Sequence, residues 1–214
     1  MAGNPNQGQS QGQVRPDPYP ESAPRPLSID CDLFSRIVEA GIFGDKPRVF
    51  LWEGQIVEWA GRTPKGRRHA YALNVLGAFL RNVTPAGWFV EQGQLMEIGK
   101  DSLKPADLKI VRGEIDDYRE RIPCVHDVPL VVEISDAEIE FDRGELLRAY
   151  AAAAVPLYWV ANVKDCVIEV YTKPTGPVES PRFESCRFFG PDDEVPVILD
   201  GREVGKVAVK DVLF

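Results

Sequence analysis

Apolar residues recur along this chain with two different periods. In Pro105-Ala106-Asp107-Leu108-Lys109-Ile110-Val111 and Val128-Pro129-Leu130-Val131-Val132-Glu133-Ile134-Ser135 they run almost unbroken. Short, β-branched runs bounded by proline, glycine or polar residues predict buried strands. Residues 155–160 and 167–171 repeat that pattern. Helical spacing appears in three places. Leu33, Ile37 and Val38 predict a helix over 30–40, with Asp30 or Asp32 as its N-cap and Gly41 as its stop. Ala72, Leu73, Leu76, Phe79 and Leu80 fall on one face of a helix over 69–82. Residues 141–154 form an alanine-rich amphipathic helix. Glu53-Gly54 lies between two apolar runs, 49–52 and 55–59, and predicts a tight hairpin. Residues 88–98 read as one extended strand. Residues 113–127 read as a charged connection, long enough for a lid over a substrate or an ordinary exposed loop. From residue 182 onward, alternation and a turn at Asp200-Gly201 predict two or three more short strands.

Composition sets the outer limits. Residues 1–26 are rich in Asn, Gln, Gly, Ser and Pro and lack apolar periodicity, which predicts a disordered tail before one folded domain over 27–214. The chain has 25 Lys and Arg against 33 Asp and Glu, a net charge of −8. That balance is not shaped for a phosphate backbone, although a local basic patch can outweigh it. The best local patch is Arg62-Thr63-Pro64-Lys65-Gly66-Arg67-Arg68-His69, read either as a phosphate contact or as a solvated loop. Four widely spaced cysteines and two histidines argue against a zinc site and predict free, mostly buried thiols in a reducing cytoplasm. No apolar run approaches the roughly 20 residues of a membrane span, so no membrane partner is expected.

The chemistry concentrates in two acids. Asp107 and Glu133 sit inside neighbouring predicted strands, where a carboxylate is costly unless something neutralises it. Each alone also fits a strand-end residue or half of a salt bridge. Together they offer oxygen donors to a hard divalent cation, Mg²⁺ or Mn²⁺. Lys109, two residues from Asp107, shares its face of the strand. It reads as an ammonium aimed at that site or as a solvated strand-edge lysine. His69 reads as a catalyst or as a helix-start residue. Asp142 reads as a helix cap, and Tyr150 and Trp159 as core aromatics.

The order of motifs carries a resemblance. After Val132-Glu133-Ile134 come Asp142-Arg143-Gly144, Tyr150-Ala151, Val155-Pro156-Leu157-Tyr158-Trp159 and Ile168-Glu169-Val170-Tyr171. Upstream lie Glu53-Gly54-Gln55-Ile56-Val57-Glu58 and Arg68-His69-Ala70. Over residues 45–173 this pattern resembles the Uma family of restriction-endonuclease-like proteins, a branch of the PD-(D/E)XK nuclease superfamily. The resemblance implies an α/β fold with a central mixed sheet flanked by helices. It implies divalent-metal-dependent hydrolysis of DNA, with Asp107, Glu133 and the carbonyl of Ile134 on Mg²⁺ or Mn²⁺, and Glu58 as an additional acid. A homodimer follows by analogy, because cutting a duplex takes two active sites or two visits.

Two positions depart from the family pattern. Ala106 replaces the proline before Asp107, and Leu146 stands where the family carries a helix lysine thought to orient or activate the attacking water. Lys109 is the expected substitute. A catalytically weakened relative, binding nucleic acid or a protein, is the rival reading.

Overall fold

The computed structural model describes residues 24, 26–44, 49–58 and 66–214. The predicted tail therefore lies almost entirely outside the described residues, as do Arg62 to Lys65 of the basic patch. Twelve strands among the described residues form three sheets. A six-stranded mixed sheet is central, in the order β10-β9-β8-β7-β6-β3. Its strands are β3 (Trp88–Gln92), β6 (Leu108–Arg112), β7 (Leu130–Ser135), β8 (Leu157–Asn162), β9 (Val167–Pro174) and β10 (Phe183–Phe189). Only β7 and β8 run parallel. The helical segments α3 (Ile139–Arg143) and α4 (Glu145–Ala152) make that crossover, as a parallel pair requires. A four-stranded sheet in the order β2-β1-β5-β4 carries the hairpin of β1 (Val49–Trp52) and β2 (Gln55–Glu58), with β4 (Leu95–Glu97) and β5 (Leu103–Pro105).

Alternation along β7 gives the central sheet two different faces. Leu130, Val132 and Ile134 pack with Leu76 and Leu80 of helix α2 (Arg67–Val83). The hairpin of β11 (Glu194–Leu199) and β12 (Arg202–Ala208), and the short α5 (Val209–Val212), close the same core. Val131 points the other way, into a cluster with Leu146, Tyr150 and Tyr158 under α4. Glu133, two residues on, shares that face. A third cluster packs α1 (Cys31–Glu39), capped by Asp30, on the smaller sheet through Phe34, Leu51 and Leu103.

Three sequence expectations are corrected, and a fourth stretch gains detail. Residues 88–98 are two strands in different sheets. Gly93, at φ +66°, turns the chain between them, a conformation that costs glycine little. The helix over 141–154 is broken at Gly144 into α3 and α4, so Asp142 lies inside α3 rather than capping it. Cys31 alone among the four free thiols is buried, and Cys186 is exposed. Residues 113–127 hold two 3₁₀ turns, each closed by a capping box. Arg121 there pairs with Asp127 and stacks over Tyr118 at 4.3 Å. Among the described residues no helix is long and apolar enough to cross a membrane.

Candidate active site

The two acids meet where the chain passes from one sheet to the other. β5 ends in the small sheet at Pro105 and β6 enters the central sheet at Leu108. Asp107 lies in that junction, just beyond the point where β6 pairs with β7 at Leu108 and Val132. The divergence exposes the edge of β7 to it. The Asp107 backbone N–H reaches Glu133 Oε2 at 3.3 Å, and the Ile134 N–H donates to Asp107 Oδ2 at 2.9 Å. Both acids are largely or wholly buried. Ile134 thus enters the site through its N–H.

Three further side chains hold these carboxylates. His69, in the first turn of α2, places Nε2 at 3.2 Å from Asp107 Oδ2, and its buried Nδ1 has no hydrogen-bond partner. Lys104 Nζ lies 3.1 Å from Glu133 Oε1 and donates to the Pro105 carbonyl at 2.9 Å. Tyr150 Oη, reaching over from α4, donates to the same Oε1 at 3.1 Å. Burial pushes Glu133 upward and the Asp107 charge adds to this, while Lys104 opposes both. For Lys104, burial pulls downward, but the charge and hydrogen bond of Glu133 outweigh it, and the ammonium is held above its ordinary value. The pair is a buried ion pair.

Asp142 is the third buried acid of the region. Burial, and then repulsion from Glu133, push it up to about 7. Its neighbour Arg143 clamps the fully buried Glu169 of β9, to which Tyr171 Oη also donates at 2.5 Å. The Asp142-Arg143 dyad thus presents one residue to the acidic site and ties α3 to the sheet with the other.

The other predicted site residues lie elsewhere. Lys109 is fully buried, and its ammonium is bound by Glu91 Oε2 at 2.7 Å and the carbonyls of Gln94 and Leu95 at 2.9 and 3.0 Å. It closes the turn between β3 and β4; burial pulls it below its ordinary value. Glu58 is exposed at the end of β2 in the smaller sheet, and no described hydrogen bond or ion pair joins it to Asp107 or Glu133. Leu146 is fully buried in the cluster under α4.

This arrangement sits inside a broader match. The model of the Uma2 family, described as "putative restriction endonuclease", matches residues 33–202. The chain belongs to that family. A solved structure from Anabaena variabilis, described as a "putative nuclease belonging to DUF820", is similar over 86% of this chain and 97% of that one. Its TM-score is 0.64 at 15% identity, a likeness that shows the restriction-endonuclease-like fold. No curated protein matches the chain. Within this Uma2 chain, the sequence pointed to Asp107, Glu133 and His69. It missed Lys104, the Tyr150 hydroxyl and Asp142. A lysine in the apolar stretch Leu103-Lys104-Pro105-Ala106, three residues before Asp107, was the available signal for the first.

Among the described residues no group of three or more His, Cys, Asp or Glu side chains is arranged to hold a metal ion. Mg²⁺ commonly takes only one or two carboxylates from a protein and fills its remaining positions with water and substrate phosphate. Two adjacent buried carboxylates whose charges repel fit that ion.

Proposed function

We propose that this chain is a divalent-metal-dependent endonuclease that hydrolyses phosphodiester bonds of DNA. The observation that carries the reading is the convergence of Asp107 and Glu133, from separate sheet segments, at one buried junction backed by an ammonium. Family membership supports nuclease chemistry. Asp107 and Glu133 would hold Mg²⁺ or Mn²⁺, which when bound polarises a phosphoryl oxygen and lowers the pKa of a water. Ile134 N–H and His69 fix the orientation of Asp107, while Lys104 and Tyr150 fix Glu133. A preorganised carboxylate pair costs no reorganisation when charge develops on the phosphate. In hydrolysis, a water oxygen forms the new bond to phosphorus. The bond to the leaving deoxyribose oxygen breaks, and that oxygen takes up a proton. Arg67 and Arg68, exposed at the start of the helix that carries His69, supply local positive charge for the backbone. Cutting both strands calls for a second copy or a second visit.

Cleavage of supercoiled plasmid with Mg²⁺ or Mn²⁺ tests this reading. The wild type is expected to nick or linearise it. Asp107→Asn and Glu133→Gln should each reduce the rate at least about a hundredfold, the scale of a positioned catalytic group. They should also remove most of the rise in melting temperature that Mn²⁺ gives the wild type. Full activity in both variants, or no cleavage by the wild type of any nucleic acid, would sink the nuclease reading. Leu146 in the apolar cluster favours the second reading, a weakened nuclease fold that binds nucleic acid or protein. DNA binding without cleavage is its expected signature.

A further inference from the structure

Two elements reach the Glu133 carboxylate, α4 through Tyr150 and β5 through Lys104. Leu146 precedes Tyr150 by four residues on α4, so the two share one helix face, and both lie in the same buried cluster. Tyr150 Oη is already hydrogen-bonded to Glu133 Oε1. A cation mounted at position 146 would therefore stand within one helical turn of a group that touches this oxygen. In this chain the position is apolar. The positive charge instead arrives along β5, where Lys104 Nζ sits 3.1 Å from that same Oε1.

A buried ion pair is a weak device for stability. The Lys104 side chain is 4% exposed, and an ion pair this deep costs desolvation that a well-packed apolar pair avoids. The other buried lysine, Lys109, shows what a structural cation does in this fold. It caps two carbonyls of a tight turn and pairs with Glu91 rather than with either site acid. Lys104 is directed at a site carboxylate.

We infer that Lys104 supplies, from strand β5, the positive charge beside Glu133 that the α4 position occupied by Leu146 does not, and so is the positioning residue for hydrolysis. This rests on the nuclease reading above. The ammonium stays protonated throughout. Its contact with Oε1 holds Glu133 in one orientation, and a cation there would stabilise phosphate oxygens that gain charge as the water–phosphorus bond forms.

The test compares wild type, Lys104→Met, Lys104→Arg and the double variant Lys104→Met/Leu146→Lys on plasmid with Mn²⁺. Lys104→Met should lower kcat at least about a hundredfold, with KM changed less than about threefold. Its Mn²⁺-induced rise in melting temperature should persist. Restoring a cation through Leu146→Lys in the Lys104→Met background should recover at least about tenfold, which repair of a merely structural defect would not do. Lys104→Met cutting at the wild-type rate overturns the inference. So does loss of its Mn²⁺ response, which would make Lys104 a prop for the acids alone. If Lys104→Met does not melt cooperatively, the other two variants decide. Folded and cutting within about tenfold of wild type, they support the role; folded and inert, they overturn it. A wild type that cuts nothing defeats the nuclease reading itself, and that failure shows before any substitution is made.

Discussion

At the scale of single residues, burial decides the chemistry. Asp142 is the clearest case, raised from an ordinary value of 3.8 to about 7 by burial and by Glu133. A carboxyl whose folded value is raised binds its proton more tightly in the native state. Its contribution is most favourable below about pH 4 and is lost as pH rises through about 7. Asp142→Asn stays neutral and should remove that slope. In EDTA, the stability of Asp142→Asn relative to wild type should rise between pH 4 and 8, by on the order of 4 kcal/mol at most. Thermal melts of both proteins across that range check the sign; parallel curves would show that Asp142 ionises normally. Lys109 makes the same point in reverse. Its face on β6 was legible from alternation, but which acid it would meet depended on β3, whose Glu91 pairs opposite it in the ladder.

At the scale of elements, breaks matter as much as runs. The apolar pattern over 141–154 reads as one helix, and nothing in its periodicity marks the interruption. Gly144 marks it, and the reason is steric. A Cβ added there would stand 2.6 Å from the Glu140 carbonyl oxygen, a backbone atom that cannot move aside cheaply. Gly144→Ala should therefore force α3 and α4 to shift and should destabilise the fold by about 1–3 kcal/mol, the usual range for overpacking. Urea unfolding measures this, and cleavage should fall as well, because α3 carries Asp142 and α4 carries Tyr150. An alanine variant as stable as the wild type would show that the break is not held by this contact. The two-strand split of residues 88–98 has a similar origin in Gly93. There the turn hands the chain from the central sheet to the small one.

At the scale of the whole molecule, the C-terminal segment completes the central core. Val209, Val212 and Leu213 are buried in the cluster that includes Leu76 and Leu80 of α2. Each such side chain is worth roughly 1.5–3 kcal/mol of burial, and a domain of this size holds only about 5–15 kcal/mol in reserve. A chain ending at residue 208 should melt at a much lower temperature or lose its cooperative transition, as followed by circular dichroism. An unchanged melt would show that these residues only rest on the core. The same helix α2 carries His69 at its start, so loosening the C-terminal face should weaken the active site from the far side of the sheet.

The sequence by itself determined the strands β6 and β7, the helix α2, the hairpin at Glu53-Gly54, and Asp107 with Glu133 as the pair of interest. These follow from local quantities: period, β-branching, turn chemistry and the cost of a charge in an apolar run. The tertiary structure alone decided what meets the pair. Lys104 is on a strand of the other sheet, Tyr150 on a helix 17 residues past Glu133, and His69 on a helix 38 residues before Asp107. Their convergence depends on where β5 gives way to β6 and on which face α4 covers. Long-range geometry of that kind is set by packing, and no local pattern records it.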